Sequence, residues 1–340
     1  MEEGKKRMAV LVGCNYPNTQ NELHGCINDV LTMRDVLVKR FGFDLSHIQL
    51  LTDAPAAGRS DIMPTGANIM KALGEMVDRA EPGDVLFFHY SGHGTRIPSV
   101  KHGHPFRQDE AIMISLKYLG FLLTNVDFRQ LVNRLAKGAS FTMLSDSCYS
   151  GGLIDKEKEQ IGPSTIPTRD PAPSDDHKPK SIPFETILQH LSSLTSICTH
   201  EIGTHLLELF GSEASLKFRL PLHGGSILWP ELLKPDDGIL LSGCQASEIS
   251  ADMSPSPAQG GAGKAYGAFS NATVLKEHSG QLSNRQVVMM ARQRLQANGI
   301  EQHPCLYCSD KNADAVFLWQ PQENYKSKIH KMLVNWGWWS

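Results

Sequence analysis

The chain has 340 residues, enough for one large domain or two smaller ones, and its 41% hydrophobic and 20% charged residues are an ordinary globular balance. A formal net charge of −3 gives no general attraction to nucleic acid or to an anionic membrane, so neither is expected as a partner. No apolar run approaches the roughly 18 residues that a bilayer span requires.

After the charged "MEEGKKR" comes an apolar stretch too short for a signal segment, "MAVLVG" (8–13), which reads as a strand covered on both faces. "INDVLTMRDVLVKRFGF" (27–43) carries Ile27, Val30, Leu31, Val36 and Leu37 on a helical stripe that stops near Gly42. "HIQLLTD" (47–53) is a second strand, and "TGANIMKALGEMVDRA" (65–80) a helix capped by Thr65. "DVLFFHYSGHG" (84–94) is a third strand with a glycine-rich end; "VDFRQLVNRL" (126–135) is a helix and "ASFTMLSDSC" (139–148) a fourth strand.

The character changes after about residue 154. "DKEKEQIGPSTIPTRDPAPSDDHKPKSIP" (155–183) has no apolar period and reads as a long exposed linker. "FETILQHLSSL" (184–194) is helical, "DGILLSGCQA" (237–246) a buried strand, "NRQVVMMARQRLQ" (284–296) a helix and "DAVFLW" (314–319) a last strand. The expected fold is α/β: one mostly parallel, helix-flanked sheet in two sequence halves, 1–154 and 237–320, joined by a linker region 155–236 and followed by a Trp-rich tail, 321–340.

Seven cysteines, an odd and scattered set, suggest free thiols in a reducing compartment. The expected location is the cytoplasm, with the nucleus and, after cell death, the extracellular space as further places. The "HPCLYC" stretch (303–308) lacks a second ligand pair at zinc spacing, so no metal site is expected there.

Two strands end in reactive residues, His93 and Cys148. Ligands of open α/β sheets bind beyond the carboxyl ends of the strands, so a thiol and an imidazole on neighbouring strands would meet there. A cysteine nucleophile needs such a base, because the thiolate attacks and a free thiol titrates near pH 8.5. The backbone amides of Gly94 and Cys148 are candidates to hold a developing oxyanion, with Ser150 to Gly152 supplying the turn.

"HYSGHGT" (89–95), "SDSCYSGG" (145–152) and "HGCINDV" (24–30) resemble the signature blocks of metacaspases, cysteine proteases of the caspase-like clan. The spacing of 55 residues from His93 to Cys148 agrees with the roughly 50 of caspases. "KAYGAFSNA" (264–272), "QHPCLYCSDKNAD" (302–314) and the linker resemble the plant type II metacaspases, most closely their calcium-independent metacaspase-9 branch.

The resemblance implies a caspase-like fold and a Cys148–His93 dyad that cleaves after Arg or Lys. It assigns Asp29, Ser91 and Asp146 to the pocket for the substrate's positive charge. Carboxylates suit that task by charge-assisted hydrogen bonding, and Asp29 also fits an ordinary helix-start carboxylate. Cys26 has a family precedent as an accessory thiol and equally fits a core cysteine.

The resemblance further implies a zymogen cut in its own linker, after Lys180 when aligned on the following "IPF". Arg169 and Lys178 are other basic candidates, and Pro179 should protect the bond after Lys178. Substrate proteins with Arg or Lys at the cut, the chain's own linker and protease inhibitors are the expected partners, with programmed cell death and stress as the context.

"RQDEAIMISLKYLGFLLTNVDF" (107–128) keeps Asp109, Glu110 and Asp127 but few other acids, so no calcium or other cofactor is expected. Segment 112–123 departs from the family pattern and opens a second reading, a catalytically silent caspase-like regulator or binding protein, if it prevents the site from assembling. An esterase or acyltransferase would use the same dyad without the acidic pocket.

Overall fold

The computed structural model describes residues 5–53, 62–98, 108–114, 121–154, 158–162, 177–219, 237–245, 248–253, 264–273 and 281–318. The first strand, β1 (Arg7–Gly13), lies inside the central sheet between β2 (Ile48–Thr52) and β3 (Val85–Ser91), parallel to both. Its side chains alternate between two apolar clusters, Met8, Val10 and Val12 in one and Ala9 and Leu11 in the other. A strand covered on both faces needs apolar residues at every position, which is why "MAVLVG" shows no alternation.

Helix α1 (Cys26–Phe41) buries Val30, Met33 and Leu37 and ends at Gly42, whose φ of 66° lets its amide bond Leu37 O. Helix α2 (Gly66–Asp78) starts where the Thr65 hydroxyl accepts from the Asn68 amide, and it buries Ile69, Leu73, Met76 and Val77 against the opposite cluster. Each fully buried side chain of this size contributes about 1.5–3 kcal/mol, so the two layers anchor the sheet far more firmly than any cap.

A small antiparallel sheet follows: β4 (Gly94–Pro98), β5 (Gln108–Ile114) and β6 (Phe121–Thr124). Helix α3 (Asn125–Asn133) is fixed by a reciprocal box between Thr124 and Asp127. The chain returns to the central sheet as β7 (Ser140–Asp146), parallel to β3. Next come β8 (Glu159–Ile161), β9 (His177–Pro179), α4 (Phe184–Thr195), α5 (Ile202–Phe210), β10 (Ile239–Ser242), β11 (Ala251–Met253), β12 (Tyr266–Gly267) and β13 (Cys305–Tyr307). The central order is β2-β1-β3-β7-β10-β13-β8, parallel as far as β10 and antiparallel for the last two strands. This is the α/β, mostly parallel and helix-flanked sheet that the sequence suggests.

Three expectations need correction. The strand expected at 314–319 is instead the end of a helix (Asp310–Asp314) and a single bridge at Val316. The strand of that region is β13, inside "HPCLYC", where three buried residues are too few to show a period.

The linker is not simply exposed. β8 joins the edge of the central sheet, β9 pairs with β11, and Lys180 is 0% exposed. A charged, proline-rich segment can be buried where a matching strand edge and counter-charges await it, which local composition does not reveal. Residues 163–176, with Arg169, and the tail 321–340 lie outside the described residues.

Segment 112–123 does not disrupt the fold in its described parts. Ala111 to Ile114 pair with Phe121 to Thr124, and the apolar residues of both strands are buried in the core. The added hydrophobes that depart from the family pattern have a core to fill. The loop after Cys148 turns at Tyr149, whose φ is 54°, and again over Gly151 and Gly152, where the Leu153 amide donates to Ser150 O at 3.3 Å, as expected from Ser150 to Gly152. The Arg96 guanidinium lies over the Tyr149 ring, 4.4 Å from its centroid.

Candidate active site

The pairing of β3 with β7 sets Ser91 opposite Asp146. Two residues further along each strand come His93 and Cys148, so register alone carries imidazole and thiol to the same edge. An added Cβ at Gly94 would lie 1.8 Å from the Cys148 carbonyl oxygen. Only glycine permits that approach.

His93 is held from two sides by the loop after β1. Its Nε2 lies 2.7 Å from the Asn21 carbonyl oxygen, and its amide donates to the Tyr16 hydroxyl at 3.0 Å. The Tyr16 ring packs against the imidazole at a centroid distance of 4.6 Å. Because a carbonyl only accepts, Nε2 carries the hydrogen, and Nδ1 of the neutral ring is the unprotonated, basic nitrogen. That atom is buried without a hydrogen-bond partner.

The sulfur of Cys148 accepts from the Ser250 amide at 3.0 Å and faces the Ser250 carbonyl oxygen at 3.6 Å. Burial pushes the thiol up to about 12, against the opposing pull of the Ser250 amide. Burial likewise pulls His93 down to about 4, although the Asn21 carbonyl favours its protonated form. Thiol and imidazole are therefore both neutral in this closed arrangement.

The chain's own Lys180 occupies the edge. Its carbonyl oxygen accepts from the amides of Gly94 at 2.9 Å and Cys148 at 3.1 Å, and its amide donates to Ser250 O at 2.9 Å. Upstream, β9 adds antiparallel to β11. Downstream, the Ile182 amide donates to Gly94 O at 3.2 Å, and the Thr95 hydroxyl to Ile182 O at 2.9 Å. The Lys180–Ser181 peptide is thus stretched across Cys148 by backbone bonds on both sides, a strand-addition mode of peptide recognition.

The Lys180 side chain enters an acidic pocket. Its Nζ is 3.2 Å from Asp146 Oδ1, 3.4 Å from Asp29 Oδ2 and 3.0 Å from Ser91 Oγ. The Ser91 hydroxyl donates to Asp29 at 2.6 Å. Burial disfavours the ammonium, but Asp146 and, less strongly, Asp29 raise Lys180 above its ordinary range. Burial alone would raise Asp146, yet Lys180 and the bonds from Ser250 and Ser270 hold it below the usual carboxylate range. Burial raises Asp29 to about 6, since it shares the one ammonium with Asp146. A buried ammonium between two carboxylates is tenable only with such charge pairing and full hydrogen bonding.

The structure therefore brings together His93, Cys148, Gly94, Asp29, Ser91, Asp146 and Lys180. Cys26 lies behind the pocket, 0% exposed, with its thiol pushed up by burial. Several contributors escape a reading of the sequence. Ser250 touches the sulfur, the Lys180 amide and, through its hydroxyl at 2.6 Å, Asp146 Oδ1. Gly267 donates to Asp29 and forms the pocket floor, where a Cβ would lie 2.1 Å from Lys180 Nζ. Asp252 accepts from His24 and Gly25, seating the start of α1. The "KAYGAFSNA" block pointed to the neighbourhood of Gly267, but nothing local marks Ser250.

Two acids of the 107–128 stretch are engaged by other protein groups. Asp109 is ion-paired with Lys217. The Asp127 carboxylate accepts from the Thr124 amide and hydroxyl, the Ser215 hydroxyl and the Leu216 amide. Among the described residues there is no cluster of His, Cys, Asp and Glu that could hold a metal ion.

Comparison with known proteins gives the family and the fold. Residues 6–157 match the family model "Metacaspase, peptidase C14 domain". The chain is 59% identical to Metacaspase-9 of Arabidopsis thaliana over 93% of this chain and 98% of that one. It is 36% identical to Metacaspase-6 of the same plant, over 92% of this chain and 99% of that one. A solved structure from Geobacter sulfurreducens shares the fold, with a TM-score of 0.57 at 17% identity over 92% of this chain and 98% of that one. The chain belongs to the metacaspase family of cysteine peptidases.

Proposed function

We propose that this metacaspase is an endopeptidase that cleaves after Lys or Arg with a Cys148–His93 dyad, and that its first substrate is its own Lys180–Ser181 bond. The observation that carries the reading is the seat of Lys180. Its ammonium faces Asp29, Ser91 and Asp146 while its carbonyl oxygen accepts from Gly94 and Cys148. A P1 carbonyl bound this way is polarised where charge develops in acyl transfer.

In the reaction the thiol proton passes to Nδ1 of His93. The sulfur's electron pair forms the bond to the P1 carbonyl carbon, and the displaced pair settles on the oxygen held by the two amides. Collapse breaks the C–N bond as His93 returns the proton to the leaving amine. Water, deprotonated by the same nitrogen, then releases the acyl group. The neutral pair in the closed arrangement makes the uncut chain slow, and entry of water once the linker leaves restores thiolate and imidazolium.

No calcium is required in this reading, which the engagement of Asp109 by Lys217 and of Asp127 by the α3 cap supports. Against the silent-regulator alternative stands the regular pairing of Ala111 to Ile114 with Phe121 to Thr124. The reading implies cytoplasmic proteolysis of proteins with exposed Lys or Arg, in the setting of cell death and stress. The test is a panel of fluorogenic peptides differing only at P1, with and without chelator. Turnover of Lys and Arg peptides alone, unchanged by chelator, is expected. Equal turnover of an Asp peptide, or loss of activity with chelator, contradicts the proposal.

A further inference from the structure

Ser250 sits directly before β11, on the half of the chain that follows the linker, and is 0% exposed. It meets each part of the centre through a different atom. Its amide donates to Cys148 Sγ at 3.0 Å, its carbonyl accepts from the Lys180 amide at 2.9 Å, and its hydroxyl donates to Asp146 Oδ1 at 2.6 Å. Nucleophile, substrate backbone and charge pocket are thereby tied to one residue.

Gln302 holds that residue in place. Its Nε2 donates to Ser250 Oγ at 3.1 Å and to Gly243 O at 2.7 Å, while its Oε1 accepts from the Ala251 amide at 3.2 Å. Every polar atom of the Gln302 side chain is thus used, and it is 3% exposed. The Gln302 side chain spans from the end of β10 to the start of β11, two segments that the pairing of main chains does not join directly.

We propose that Ser250 is a further catalytic residue of this centre, with Gln302 as its positioning residue. The amide supports the sulfur as its proton goes to His93 and negative charge grows there, since an N–H hydrogen bond favours the charged form of its acceptor. The hydroxyl keeps one oxygen of Asp146 fixed, leaving the carboxylate aimed at the substrate's cation. The carbonyl registers the P1 amide. Occupation of the charge pocket and readiness of the thiol are in this way coupled through one residue. The proposal rests on the reading of the site as a Lys/Arg peptidase.

The test uses full-length wild type, Ser250→Ala and Gln302→Leu, after processing in trans by removable wild-type enzyme where self-cleavage is slow. A Lys-P1 fluorogenic peptide gives kcat and KM, and iodoacetamide reads the pH dependence of Cys148 alkylation. Ser250→Ala keeps the amide and loses the hydroxyl. It should raise KM about tenfold, the scale of one hydrogen bond to a charged group, with kcat within about threefold and an alkylation profile like wild type. Gln302→Leu frees the amide as well, so kcat should fall about tenfold and the alkylation profile move to higher pH.

A KM within about twofold of wild type in Ser250→Ala, or an alkylation profile of Gln302→Leu that overlies wild type, overturns the proposal. So does a Ser250→Ala protein whose kcat, KM and alkylation profile all change together, which is the mark of a merely structural role. A wild-type chain with no turnover of Lys or Arg peptides overturns the reading of the site, and the role of Ser250 with it.

Discussion

Gly267→Ala is the sharpest single perturbation of the charge pocket. The backbone of Gly267 is not in the left-handed region, so alanine brings no conformational strain, only a methyl group. That carbon would stand 2.1 Å from Lys180 Nζ, 2.3 Å from Asp146 Oδ2 and 2.5 Å from Asp29 Oδ2. Ordinary contact needs about 3.5 Å, so the ammonium must retreat by more than ~1 Å and both carboxylates must splay. The Nζ contacts at 3.2 and 3.4 Å do not survive such a shift, and the substrate charge is left in a dry pocket without its partners.

Breaking a buried ion pair costs about 3–5 kcal/mol, which is a loss of at least about a hundredfold in kcat/KM for Lys and Arg peptides. Iodoacetamide labelling of Cys148 should stay near wild type, because the methyl group touches the pocket and not the thiol. A Gly267→Ala enzyme with kcat/KM within about threefold of wild type would refute the claim that the P1 cation sits on this glycine.

Lys180→Arg should be processed, while Lys180→Gln should remain uncut at this bond on a denaturing gel. Removing the cation leaves Asp29 and Asp146 buried together, so Lys180→Gln should also weaken docking of 177–182 by about 3–5 kcal/mol, read as faster hydrogen exchange there. His93 supplies the pH dependence. Its pKa in the closed arrangement is about 4, below the ordinary 6.5, so the neutral ring stabilises that arrangement above pH ~6.5. The contribution is lost as pH falls through 4, amounting to at most about 3 kcal/mol. Exchange of the 177–182 amides in a Cys148→Ala chain, corrected for intrinsic rates, should therefore be faster near pH 4.5 than near pH 7; equal protection at both would contradict it.

The strands that carry His93 and Cys148 were legible because buried parallel strands announce themselves as unbroken apolar runs. Helices α1 and α2 were legible from their stripes and from Gly42 and Thr65 at their ends. The seat of Lys180 was not. A lysine between prolines in a charged stretch reads as solvated, and its burial depends on Asp29 and Asp146, 151 and 34 residues away in sequence. Ser250 acts across 102 residues to Cys148 and 104 to Asp146, partly through main-chain atoms, and Gly267 across 238 to Asp29, so neither role shows in the residues around it. β13 failed for another reason: three buried residues carry no period, and its cysteines drew attention to metal chemistry instead.

The central claim is that the Lys180–Ser181 bond lies in the chain's own catalytic centre. Intact-mass analysis of freshly made full-length protein, beside Cys148→Ala, tests it most directly. Wild type should resolve into a piece ending at Lys180 and a piece beginning at Ser181, and Cys148→Ala should remain one uncut chain. A wild type that stays whole, or a Cys148→Ala chain cut at the same bond, would contradict the account.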